Sequence, residues 1–320
     1  MQQCSLPRKL LAIHILGLSG LLAMSAQATI ITNSLTATAS AKAGTNVATV
    51  EGPQTDASYV SQYAFNNDGI SNTGASAWGN QYGVYRAEAN GNGKFDSNGH
   101  FQRALTLTNN NGIATDYSVS FFIYYGSMSA SSNGATGTGW GSFDLSIKRD
   151  ANTLFASYAK IESDGTLTQT GTALNGATQS GSSYSWDGTY VNFNLGTLEN
   201  NESLTLNFDL VSTAFGDFGV SSSNEQCYGG YGSEFATFAV NDGYGGCTGF
   251  VSASLGDPVD FQENNPALYD PTQFPFRTPF NTLVINERRI PTNDVPLPGT
   301  LALLGIGLAG VGFMQKRRQS

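Results

Sequence analysis

The chain has 320 residues, 38 of them glycine, and only 12% carry a charge, against ~25% in an ordinary soluble domain. A composition so rich in Gly, Asn, Ser and Thr excludes long helical bundles and coiled coils, while 19 Phe, 14 Tyr and 40% apolar residues exclude wholesale disorder. The net charge of −9 excludes nucleic acid as a partner, because between Lys160 and Arg277 there are 14 acidic side chains and no basic one to neutralise phosphates.

Residues 1–28 read as a signal peptide. Arg8 and Lys9 precede the apolar run Leu10 to Leu22, and Ala26-Gln27-Ala28 supplies the small-x-small pattern at which signal peptidase cuts, before Thr29. The apolar run is shorter than the ~20 residues a permanent span requires. It predicts a transient signal helix.

From residue 29 to about 290 the dominant signal is alternation with period two, the mark of half-buried strands. Tyr117, Val119, Phe121, Ile123 and Tyr125 alternate with Ser118, Ser120, Phe122 and Tyr124, and Phe143, Leu145 and Ile147 with Ser142, Asp144, Ser146 and Lys148. Val191, Phe193 and Leu195 form a third set and Leu204, Leu206, Phe208 and Leu210 a fourth; the loop through Gly196 and Asn200-Asn201 predicts that these two pair as an antiparallel hairpin. Shorter strands are expected over 104–108, 153–161, 234–240, 249–254 and 282–286. Residues 29–99 alternate weakly and are expected to supply edge strands and long loops. Five of the ten prolines fall between Pro258 and Pro279, which predicts an irregular surface loop. No amphipathic helix separates the strands, so the fold class is all-β: one antiparallel two-sheet β-sandwich, with jelly-roll connections compatible with the pattern.

Candidate sites are few. Cys227 and Cys247 are the two cysteines left after processing, and in an oxidising compartment they are expected to pair. Between them Tyr228, Tyr231 and Tyr244 sit among six glycines, where flat rings beside small residues suit stacking on sugars; the competing view makes this segment turns and a buried strand. Asp68, Asp96 and Asp242 lie in Asn- and Gly-rich stretches that suit either structural Ca²⁺ or ordinary Asx turns, and none has the spacing of a helix-loop-helix calcium loop. Ca²⁺ is the one cofactor the sequence leaves open. His100, the single histidine after residue 28, has no nucleophile elbow beside it, and no carboxylate pair is selected for glycoside hydrolysis. No catalytic residue is assigned, and the chain is expected not to be an enzyme.

Residues 291–320 form a second sorting element. Val295-Pro296-Leu297-Pro298 precedes an apolar stretch at 300–314, which spans about 22 Å as a helix, short of the ~30 Å hydrocarbon core. Lys316, Arg317 and Arg318 follow and would stay cytoplasmic. This three-part tail resembles the PEP-CTERM signal of exosortase-processed proteins, with Leu297 standing where that family usually has Glu. Leu297-Pro298-Gly299-Thr300 also matches four places of a sortase motif, but Leu301 replaces its final Gly. An ordinary tail anchor is the third alternative.

The PEP-CTERM resemblance implies signal peptidase and an exosortase-type enzyme as partners. It also implies transient insertion in the inner membrane and delivery to the cell surface or extracellular matrix of a Gram-negative bacterium. With both ends removed, ten basic side chains face 24 acidic ones, a net charge of −14. The expected role is structural or adhesive, in biofilm or exopolysaccharide association; the alternative is a carbohydrate-binding or polysaccharide-modifying secreted protein.

Overall fold

The computed structural model describes residues 29–81, 83–219, 248–256 and 283–290. Among them the chain is strand and turn throughout, with no helix. In chain order the strands are β1 (Ile30–Ala43), β2 (Thr49–Asp56), β3 (Tyr59–Asn67), β4 (Asn72–Asn80), β5 (Tyr85–Asn92), β6 (Lys94–Thr108), β7 (Thr115–Ile123), β8 (Gly126–Ser131) and β9 (Gly137–Arg149). They continue as β10 (Asn152–Glu162), β11 (Leu167–Gly171), β12 (Thr178–Ser180), β13 (Ser183–Trp186), β14 (Thr189–Leu198), β15 (Ser203–Phe218), β16 (Phe250–Gly256) and β17 (Leu283–Arg289). The expected signal helix, the apolar stretch at 300–314, the strand at 234–240 and the proline-rich loop lie outside the described residues.

Three antiparallel sheets result, rather than the expected two. The first runs β11-β10-β9-β15-β6-β1-β2, the second β12-β13-β8-β16-β5-β4-β3, and the third β14-β7-β17. Strand length explains the third sheet. At ~3.4 Å per residue, the 15 residues of β6 and 16 of β15 extend for roughly 50 Å, whereas the seven to nine residues of β16, β5 and β4 cover little more than half of that. The second sheet therefore roofs one half of the first, and the third sheet packs over the other half. There the Phe121 and Phe208 rings approach to 5.0 Å, and Arg149 Nη1 donates to the Leu195 carbonyl.

The inward side chains of the first sheet grade in size along the strands. One cross-strand row reads Ala41, Ser97, Ala214, Gly141, and the next Ala39, Gly99, Ser212, Phe143. Further along come Ala37, Phe101, Leu210, Leu145 and then Leu35, Arg103, Phe208, Ile147. The small end faces an equally small row of the second sheet, Ala64, Ala75, Ala89 and Ala253. Here the two backbones come within one side-chain atom of each other. Ser212 Oγ donates to the Ala87 carbonyl at 2.8 Å across the interface, and a Cβ on Gly99 would lie 2.6 Å from the Glu88 carbonyl oxygen. This approach is closer than the ~10 Å spacing of sheets filled by larger residues. The large end is a conventional core, with Leu105, Leu107, Leu206 and Val119 all fully buried.

One expectation is corrected. The sets at 191–195 and 204–210 do not pair: β14 bonds to β7, and β15 lies between β6 and β9. Both segments carry an apolar face, and the turn at Asn200-Asn201 moves the chain from the third sheet to the first, so Leu195 and Leu198 contribute to the same core as Leu204 and Leu206 without a shared ladder. The expectation for residues 29–99 holds in part: they supply the edge strands β2 and β3, but also β1, β4 and β5, interior strands of their sheets. Their alternation is weak in hydropathy because the buried partners are Ala and Gly, chosen by the close approach.

Three of the edge strands are blunted. β2 is exposed along most of its length and carries Glu51, Pro53 and Asp56; β12 has three residues, and β17 ends in Glu287, Arg288 and Arg289.

The two ends of the core predict opposite sensitivities to volume. Gly99→Ala should destabilise the protein by ~1–3 kcal/mol through overpacking, and Leu105→Ala by ~2–5 kcal/mol through a cavity. Denaturant unfolding of both variants checks this; a neutral Gly99→Ala would contradict the close approach.

Candidate functional site

The sorting residues Val295, Pro296, Leu297, Pro298, Lys316, Arg317 and Arg318, the cleavage residues Ala26 and Ala28, Cys227 with Cys247, Tyr228, Tyr231, Tyr244 and Asp242 lie outside the described residues. Asp68 and Asp96 are described. Asp68 Oδ1 accepts the backbone N–H groups of Ile70 at 2.9 Å and Ser71 at 2.7 Å, an Asx-type turn leading into β4. Asp96 lies within β6, opposite Lys42 of β1. The Asn90 to Gly93 stretch is the end of β5 and a tight turn into β6, with Gly93 at φ +76°. Among the described residues no three His, Cys, Asp or Glu side chains gather where they would hold a metal ion.

His100 sits in the middle of β6, on the outer face of the first sheet. Its Nε2 and Asp209 Oδ1 are 2.7 Å apart. The hydrogen bond from His100 holds the Asp209 carboxyl below its usual range, and burial together with the Asp209 charge raises that of Asp144. Around this pair runs a ladder of neutral contacts, Asn98 to Thr213, Thr106 to Thr205 and Thr108 to Ser203, each a hydrogen bond of 3.0 Å or less. His100 is thus one rung of a cross-strand polar network.

The outer face of the second sheet has more varied chemistry. Its rows follow from register. One is Tyr63, Ser76, Glu88, Ser254, Ser127; the next is Phe65, Gly74, Asn90, Ser252, Ser129, Ser183. Tyr63 and Phe65, at one end, are 55% and 44% exposed. Gly74 leaves a shallow depression between them and β5: a Cβ there would be 3.7 Å from both Asn90 Oδ1 and Tyr63 Oη. Beyond Asn90 the hydroxyls of Ser252 and Ser129 bond at 3.0 Å. Rings, amides and hydroxyls in this order can stack on the apolar face of a sugar and bond its hydroxyls.

On this same outer face, with Glu88 in the row of Tyr63 and Ser76, lies an ion pair that sequence reading passed over. Arg86 Nη2 donates to Glu88 Oε2 at 2.8 Å, and both side chains are almost fully buried. Burial raises the Glu88 carboxyl above its usual range, partly offset by the Arg86 charge, and burial followed by the Glu88 charge raises the Tyr63 phenol. The pair adds little net stability, since desolvation offsets most of its attraction. These rows hold a single carboxylate, while glycoside hydrolysis by the common mechanisms uses two. The arrangement is suited to binding.

Arg86 and Glu88 were detectable in Tyr85-Arg86-Ala87-Glu88-Ala89-Asn90, an alternating pattern whose apolar members, Ala87 and Ala89, are too small to score as a strand. Tyr63 and Phe65 alternate in the same way with Ala64.

The Glu88 shift has a signed consequence. A carboxyl whose folded pKa is raised above its unfolded value stabilises the fold below the ordinary value near 4.5, and that contribution is lost as pH rises through the raised value. The unfolding free energy of the wild type should therefore fall across that window, and this component should be missing in Glu88→Gln. Parallel denaturant titrations from pH 4 to pH 8 measure it; identical pH profiles would contradict the assignment.

Comparison with known families matches residues 294–318 to the PEP-CTERM protein-sorting motif. The matched segment contains the Pro296-Leu297-Pro298 sequence, the apolar stretch and the basic cluster. No curated protein matches the chain. The chain carries an exosortase-type sorting signal, which implies processing by exosortase and a cell-surface or extracellular destination for the all-β portion.

Proposed function

We propose that the mature protein is a non-enzymatic structural or adhesive component of the surface or extracellular matrix of a Gram-negative bacterium, and that it holds neutral polysaccharide on the outer face of its second sheet. The observation that carries this is the juxtaposition of exposed Tyr63 and Phe65 with Asn90, Ser252 and Ser129 on one rigid face. The net charge of −14 between residues 29 and 294 agrees with a neutral rather than an acidic polymer, because like charges would repel. The short apolar stretch and basic end of the tail support a transient stage in the inner membrane before exosortase cleavage.

Two experiments test the proposal. The first follows sorting. Pro296→Ala with Pro298→Ala should leave a precursor with Ser320 intact in the membrane fraction, whereas the wild type should appear at the surface or in the matrix with a truncated C-terminus; terminal masses decide between them. The second measures retention of the purified mature protein on the producer's own exopolysaccharide. Loss of one stacking ring is worth ~0.5–1.5 kcal/mol, so Tyr63→Ala and Phe65→Ala should each weaken retention by roughly two- to tenfold. Retention that is unchanged in both variants but lost in Tyr231→Ala would move the site to the segment between the cysteines; absence of retention for the wild type would overturn the polysaccharide role.

A further inference from the structure

Where the three sheets meet, Arg103 of β6 points into the core within the row Leu35, Arg103, Phe208, Ile147, and its side chain is 4% exposed. Its Nε and Nη2 donate to Asn33 Oδ1 at 3.0 and 2.7 Å, and Nη2 also donates to the Gln81 carbonyl at 2.8 Å. The guanidinium carbon lies 6.0 Å from the centroid of the Phe208 ring. These partners are neutral. Nη1 is buried and has no hydrogen-bond partner. Burial pulls the guanidinium down to about 10, which leaves it charged at neutral pH. A buried cation with no countercharge costs several kcal/mol, and an unmet donor adds ~1–3 kcal/mol.

Arg103 also forms part of the wall of a small cavity whose other walls are Gly83, Val84 and Leu210 and the aromatic residues Tyr85, Phe101, Phe121 and Phe208. Its free volume is about 10 Å³ for the centre of a water-sized sphere, close to the space one such sphere requires. The rest of the wall is chiefly aromatic. A water molecule there would accept from Nη1 but would leave the guanidinium charge uncompensated. A monoatomic anion needs no acceptor: it takes the Nη1 hydrogen, neutralises the guanidinium and is compatible with the positive edges of aromatic rings. Oxyanions such as phosphate or a carboxylate need more volume than the cavity offers.

We propose that this cavity is a binding site for a single chloride-sized anion held by Arg103 at the junction of the three sheets. The site lies inside the fold and is independent of the polysaccharide surface.

Crystals of the purified mature protein grown in or soaked with sodium bromide test it directly. The expected result is an anomalous peak at the bromine edge within hydrogen-bonding reach of Nη1; an empty cavity, or one holding a water molecule under those conditions, overturns the proposal. In solution, the melting temperature at constant ionic strength should rise as chloride replaces gluconate, because a ligand that binds only the folded state stabilises it by mass action. Leu210→Phe, which fills the cavity and keeps the arginine, should lose that rise, as should Arg103→Gln where it folds. A rise that persists in Leu210→Phe places the anion elsewhere and overturns the proposal.

Discussion

The fold depends on how closely the second sheet can approach the first. At the end of the sandwich containing Gly99, Ala39, Ser97 and Ala214, the facing backbones are separated by little more than a methyl group, and Ser212 bonds directly to the Ala87 carbonyl. Small residues remove much of the hydrophobic area that usually stabilises a core, but they increase the density of contacts between main chains. Further along the same strands, leucine and phenylalanine replace alanine and hold the third sheet at ordinary distance. One long sheet thus supports two shorter ones because its inward face is graded from small to large.

That gradient also explains which parts were legible beforehand. The strands β7, β9, β14 and β15 were readable because their inward residues are Phe, Leu, Ile and Val, which alternate clearly with Ser, Asn and Asp. Strands β1, β4 and β5 hide in plain composition. Alternating Ala-Thr-Ala-Ser-Ala, or Gly-Ala-Ser-Ala-Trp, carries the same period at low hydropathy, and such a run resembles a loop until its packing partner is known. The false hairpin between residues 191 and 210 has a related cause. Periodicity shows that two segments each have an apolar face; whether those faces lie side by side in one sheet or oppose each other across a core is settled by long-range pairing. Asp68 and Asp96 illustrate the same limit at the level of sites. A carboxylate near Asn and Gly can bind a cation or cap a turn, and composition does not distinguish the two; Asp68 caps the turn at Ile70 and Ser71.

The buried charges divide into two kinds. Arg86 and Glu88 neutralise each other on the outer side of the second sheet, whereas Arg103 is held by an amide oxygen, a carbonyl and the face of Phe208. An arginine in the sequence Phe101-Gln-Arg103-Ala-Leu105 occupies an inward register, so its unusual position was visible as soon as that strand was recognised. The outer faces, in contrast, are filled by hydroxyl and amide ladders that cost little to expose and little to cover with another hydroxyl-rich molecule. Export and surface chemistry agree: the tail directs the chain outward, and the faces it presents there are neutral in polarity over an acidic background.

The blunted borders of the sheets have a consequence for life at high local density. Wherever copies are concentrated, an open ladder of main-chain donors would seed filament growth. Here a proline, a cluster of acids, a three-residue strand and an arginine pair interrupt those ladders.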